Sequence, residues 1–133
     1  MIPKFRAYFN KYKRMIYNIG VINENSILVD FNGDGDCEYM FLTNDITLMK
    51  SIGLKDEYGN EIYEGDLVEY RDGEESFKGE VMTNCFGAYV KTKNDYIRFE
   101  DFSDENTRFA GNCYIVGNIY ENPELLDGVD KWK

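Results

Sequence analysis

The sequence predicts an all-β protein with minor helical turns: a small SH3-type barrel carrying an N-terminal β-hairpin extension. Three observations predict it. Turn signals recur roughly every 8–12 residues, the spacing of short strands in a small sandwich or barrel. Apolar and polar residues alternate in segments such as Leu67-Val68-Glu69-Tyr70 and Tyr96-Ile97-Arg98-Phe99-Glu100, the period of a half-buried strand. Eleven Tyr and nine Phe against two Pro enrich the chain in residues that suit pleated surfaces.

The elements follow in order. Residues 5–9 and 15–22 read as two strands around a polar turn at residues 10–14. Residues 26–31 and 37–42 read as a second pair, joined by Asn32-Gly33-Asp34-Gly35-Asp36. Thr43-Asn44-Asp45 suits either the cap of one helical turn over residues 46–50 or the start of a strand. The stretch from Gly53 to Val68 holds two tight turns, Tyr58-Gly59-Asn60 and Glu64-Gly65-Asp66, each with a glycine free to take positive φ. Strands are expected over residues 67–71, 77–82, 87–92, 96–100 and 113–120, with Asp72-Gly73 and Lys93-Asn94-Asp95 as turns. A helical turn fits residues 103–106, and Pro123 opens a turn or short helix. The expected organisation is one domain over residues 1–126, its barrel about 46–122, with a polar tail over 127–133. A chain of 133 residues can bury about two thirds of its unfolded surface.

Composition limits the function. No apolar run approaches the roughly 18 residues that span a bilayer, and no secretory h-region is visible, so a soluble cytoplasmic protein with no membrane association is expected. Cys37, Cys85 and Cys113 form no Cys-x-x-Cys pair, and the chain has no histidine. They read as reduced, mostly buried thiols rather than a zinc site. Without histidine the commonest neutral-pH general base is missing, and a Ser-His-Asp or Cys-His constellation is impossible. Carboxylate pairs such as Glu61 with Glu64, or Glu100 with Asp101, remain, but nothing marks one out among 25 acids. No phosphate-cradling glycine motif is present. The expectation is a non-enzyme with no cofactor.

Asp30, Asn32, Asp34 and Asp36, with Gly35 in sixth place, match the first half of a calcium loop. The twelfth place holds Phe41 instead of a bidentate Glu. The better reading is a solvated hairpin turn, and no metal is expected.

Charge is uneven. The chain has 15 Lys and Arg against 25 Asp and Glu, a net of −10. Residues 1–20 hold five bases and no acid, so the remainder carries −15. Lys4, Arg6, Lys11, Lys13 and Arg14 interleave with Phe5, Tyr8, Phe9 and Tyr12, a pattern that can grip single-stranded nucleic acid by charge and stacking. The acidic remainder repels phosphate backbones at long range. Solubility alone explains such a surface; the sharper expectation is a protein partner with a basic patch, composition does not separate the two, and nucleic acid is the alternative.

Lys4-Phe5-Arg6-Ala7-Tyr8, Gly53-Leu54-Lys55-Asp56 with its continuation to Val68, and Val116-Gly117-Asn118-Ile119-Tyr120 with its continuation to Leu126 lie in three blocks that resemble the YopX family of phage and prophage proteins. Lys4-Phe5-Arg6-Ala7-Tyr8, followed by Lys13-Arg14-Met15, is similar to that family's opening Lys-Phe-Arg-Ala-Trp segment, with Tyr8 in place of Trp. Leu48-Met49, then Gly53-Leu54-Lys55-Asp56 through Gly59 to Ile62-Tyr63-Glu64-Gly65-Asp66-Leu67-Val68, forms the second block. Ile52 departs there from a usual Thr. Val116-Gly117-Asn118-Ile119-Tyr120-Glu121-Asn122-Pro123-Glu124-Leu125-Leu126 is the third. The resemblance implies a β fold with an SH3-type barrel and a phage or prophage origin, hence the cytoplasm of a bacterial host. It implies no activity. Together with the charge it yields an acidic β interaction module that binds a host or phage protein and blocks host machinery. Asp56, Glu57, Glu61, Glu64 and Asp66 are its candidate contact residues, and a homo-oligomer through edge strands is a further expectation.

Overall fold

The computed structural model describes residues 4–125. Its strands are β1 (Phe5–Phe9), β2 (Arg14–Asn23), β3 (Ser26–Val29), β4 (Glu38–Phe41), β5 (Ile46–Lys55), β6 (Glu61–Tyr63), β7 (Asp66–Asp72), β8 (Glu75–Asn84), β9 (Gly87–Lys91), β10 (Tyr96–Arg98) and β11 (Cys113–Asn118). A single-turn 3-10 helix, Phe99–Asp101, follows β10. The all-β expectation is met. The strands form two antiparallel sheets, ordered β4-β3-β2-β1-β5-β6 and β10-β9-β8-β7-β11, and no closed barrel is found among the described residues. Two compact units divide the chain, Met1–Ser51 and Ile52–Lys133.

In the first unit β1 lies between β2 and β5, pairing Ala7 with Ile16 and with Leu48. Two hydrogen-bonded neighbours explain why Ala7, Tyr8 and Phe9 are all buried. Ala7, Phe9, Ile16, Ile27 and Val29 form the core, with the Phe31 ring 5.3 Å from that of Phe9. The β1–β2 turn places Lys13 at φ 51, a strained conformation for a side chain of that size. Residues 46–50 are strand rather than helical turn, because each pairs with a residue of β1. A free edge of β1 draws them into the ladder more strongly than one capped helical turn can hold them.

In the second unit β7, β8, β9 and β10 run as a meander, and β11 returns beside β7. Ile62, Val68, Val81, Val90, Phe99 and Ala110 lie in its core. Tyr70 and Phe77 stack with centroids 4.8 Å apart, and Phe102 packs edge-on against both. The 3-10 helix exists to carry Phe99 inward: Phe102 and Ser103 both donate their N–H to its carbonyl. Gly79 permits β8 and β9 to approach closely, since a Cβ there would overlap the Lys91 carbonyl.

The expectation of mostly buried thiols is corrected. Cys37 and Cys85 are exposed and only Cys113 is buried. Cys37 follows the bends over residues 31–35 and Cys85 sits in the β8–β9 turn, and neither backbone segment has a core to turn toward.

Candidate interaction surface

The two turns of the central motif are built by carboxylates aimed at backbone. Asp56 is completely buried. Its Oδ1 accepts the N–H groups of Tyr58 (3.0 Å) and Asn60 (2.9 Å), and its Oδ2 accepts that of Ile115 (3.1 Å). Ile115 precedes a register shift in the β11–β7 ladder, so this carboxylate satisfies a donor that an irregular pairing would strand. Asp66 is 2% exposed, and its Oδ2 accepts the Tyr63 N–H at 2.8 Å, closing the turn at Gly65 (φ 87).

Among the five acids expected to contact a partner, Asp56 and Asp66 therefore lie inside the fold, both oxygens of Asp56 and Oδ2 of Asp66 held by backbone donors. Glu61 is half-buried. Glu64 accepts the Thr83 hydroxyl at 2.5 Å. Glu57 is exposed, with Oε1 on the Asn112 N–H at 2.9 Å. Both aspartates flank glycine turns, where short carboxylates close the chain by accepting local N–H groups, but the sequence around them fits a solvated carboxylate as well.

The acidity nonetheless has a location. Met1–Ser51 holds six bases and six acids, whereas Ile52–Lys133 holds nine bases and nineteen acids. The whole net of −10 belongs to the second unit. Its exposed acids include Glu57, Glu74, Glu75, Glu100, Asp101, Asp104 and Glu105. Partial neutralisation comes from Glu69, which pairs with Arg71 (3.2 Å) and Lys78 (3.5 Å), and from the Arg98–Glu100 pair. Glu80 has its carboxyl raised above the ordinary value by burial.

The same unit presents exposed rings, Tyr58 and Tyr96, beside half-buried ones, Tyr89 and Tyr114. Arg71 lies 4.7 Å over the Tyr114 ring and Lys91 lies 4.7 Å over the Tyr96 ring. Tyr58 is 5.2 Å from Tyr114, and Tyr89 is 5.3 Å from Tyr96.

The basic N-terminal residues are not gathered into one stripe. Arg6 is 1% exposed with its guanidinium 5.8 Å over the Tyr17 ring. Arg14 donates from Nη2 to the Phe31 carbonyl at 2.6 Å. Lys11 and Lys13 are exposed at the β1–β2 turn beside exposed Tyr12, while Lys4 stands at the other end of β1. Phe5, Tyr8 and Phe9 pack inward, so Tyr12 alone of the interleaved aromatics is available for stacking.

The Asp30 loop closes on itself. Asp30 Oδ1 accepts the N–H groups of Gly33 (2.8 Å) and Asp34 (3.2 Å), and Oδ2 accepts that of Gly35 (2.9 Å). Asp34 accepts the Asp36 N–H at 3.0 Å. The Gly35 N–H, with those of Gly33 and Asp34, holds the Asp30 carboxyl below its ordinary value. Asn32, Asp34 and Asp36 are exposed. Among the described residues no three His, Cys, Asp or Glu side chains converge as metal ligands, and no helix is long and apolar enough to cross a membrane.

Two antiparallel sheets, joined by carboxylate-closed turns and almost devoid of helix, define the class of protein. The family follows from comparison: the model of the YopX protein family matches residues 4–127, and this chain belongs to that family. The crystal structure of protein EF1440 from Enterococcus faecalis is similar over 95% of this chain and 99% of its own, with 25% identity and a TM-score of 0.64. No curated protein matches.

Proposed function

We propose that this is a non-enzymatic protein-binding module of phage or prophage origin, working in the cytoplasm of a bacterial host. It docks the acidic surface of residues 52–133 against a basic patch on a host or phage protein and blocks that protein's own use of the patch. The observation that carries the reading is the confinement of the entire −10 to one unit, while the other is neutral. An acidity selected for solubility alone would need no such partition. We further infer that this unit is an SH3-type barrel left unclosed. Its meander, a 3-10 turn before the last strand, and the return of that strand beside the first support the inference. The alternative, nucleic-acid binding through the N-terminal bases, is left with Lys11, Lys13 and Tyr12 at one turn.

Affinity purification from bacterial lysate tests the proposal. A discrete partner is expected, recovered at low salt, released as salt rises, and lost from a Glu57, Glu74 and Glu75→Gln variant. Recovery of abundant proteins alone, in a pattern indifferent to salt and to those substitutions, refutes it. A salt-sensitive shift of single-stranded DNA abolished by Lys11 and Lys13→Ala transfers support to the alternative.

A further inference from the structure

The turn between β8 and β9 and the outer face of β9 and β10 enclose a hollow that the fold leaves unfilled. Val81, Val90 and Ile97 are the inward residues of this meander, and strand alternation turns Met82, Tyr89, Lys91, Tyr96 and Arg98 the other way. The hollow measures about 210 Å³ and is lined by Phe86, Tyr89 and Tyr96, with Asn84 and Arg98. The Tyr89 and Tyr96 rings meet at 58°, so they form two walls of a corner rather than a flat stack. Phe86 is 78% exposed and Tyr96 65%, so much of both rings faces solvent at the rim of the hollow.

We propose that this hollow anchors a cationic side chain, arginine or lysine, from a basic segment of a partner polypeptide. The proposal rests on the protein-binding reading above and names its anchor. Aromatic faces attract cations through their quadrupole, and two tyrosines of this sheet already hold cations at 4.7 Å, Tyr96 with Lys91 and Tyr114 with Arg71. The surrounding unit, nine bases against nineteen acids, is complementary to the bases flanking such an anchor. Two charges of the wrong sign stand at the corner: Arg98, which is ion-paired with Glu100, and Lys91, whose ammonium an incoming cation must displace from the Tyr96 ring. A corner of rings suits the planar guanidinium especially, because it can stack on one wall and meet the edge of the other.

The probe is an acetylated, amidated peptide of one arginine flanked by two lysines and glycines, titrated into the full chain under NMR observation. Its counterpart carries citrulline in place of arginine, which keeps the shape and removes the charge. The Phe86, Tyr89 and Tyr96 ring resonances should shift. Affinity should fall about 3- to 10-fold for the citrulline peptide and for Tyr96→Leu, and stay unchanged for Tyr39→Leu, an exposed ring that belongs to the first unit. Should Tyr96→Leu disturb folding, Phe86→Leu at the exposed turn carries the same comparison. Salt-sensitive peptide binding with motionless ring resonances overturns the hollow while leaving the acidic surface intact. No binding of either peptide overturns both. Ring shifts produced by oligothymidylate and not by the peptide make the corner a nucleobase site, and also overturn the proposal.

Discussion

Cys113 lies completely buried in the core of the second unit. Burial, with the charges of Asp56 and Asp66 added, pushes its thiol up to about 12 from an ordinary 9.0. The folded chain therefore keeps this proton over a range in which the unfolded chain releases it. The stability it contributes is fully present below about pH 9 and is lost as pH rises toward 12. Tyr70, its phenol raised by burial and by the hydrogen bond to Asp72, acts in the same direction. Cys113→Ala should flatten the alkaline limb of a denaturation-midpoint profile in part, leaving the share of Tyr70. A thiol reagent at pH 8 should label Cys37 and Cys85 rapidly and Cys113 only as fast as the fold opens. Equal labelling of all three would sink the assignment. Burial of these thiols was poorly legible in the sequence, because cysteine is apolar enough for the core and small enough for a turn. The neighbours were the better guide: Asp36 and Glu38 flank the exposed Cys37, while Tyr114 and Ile115 follow the buried Cys113.

Turns were the most legible elements, since positive φ restricts the residues that can occupy them. Gly33, Gly59, Gly65 and Gly73 all adopt it at sequence-expected turns. The opposite fate of the carboxylates beside them was not legible from composition. An aspartate at a turn is equally suited to water and to a ring of backbone donors, and only the presence of a second strand decides. For Asp56 that strand is β11, whose Ile115 lies 59 residues further along the chain. Asp56 thus ties the Tyr58–Asn60 turn to β11 in one carboxylate. Charge-assisted hydrogen bonds of this kind contribute more than neutral ones. Asp56→Asn should lower unfolding free energy by about 2–4 kcal/mol, because the amide's N–H₂ meets donors where an oxygen stood. Chemical denaturation measures it, and a loss below about 0.5 kcal/mol would remove the clamp from the account. The extent of β5 was hidden for a related reason: its first half acquires strand character from β1, whose Phe9 pairs with Ile46 from 37 residues earlier, and local sequence around Thr43 fitted a helical cap equally well.

At the scale of the whole chain, charge partition sets competing responses to salt. The second unit carries ten uncompensated acids, and ion pairs among its described residues include Glu69 with Arg71 and Lys78, and Arg98 with Glu100. Each such pair contributes at most about 1 kcal/mol, and salt weakens it. Repulsion among the excess acids is spread over the same surface, and salt weakens that too. An excess of ten like charges remains however the others pair, and it makes the repulsive contribution the larger. Thermal stability should therefore rise as potassium chloride increases from about 20 mM to about 500 mM, a change that cuts the screening length severalfold. Partner binding through the same acids should decline over that range, because the attraction it uses is screened as well. The two measurements must move in opposite directions if one surface is responsible for both. A melting temperature that falls with salt would mean that the ion pairs outweigh the repulsion, and the acidic surface would then be internally compensated and unfit to recognise a basic patch.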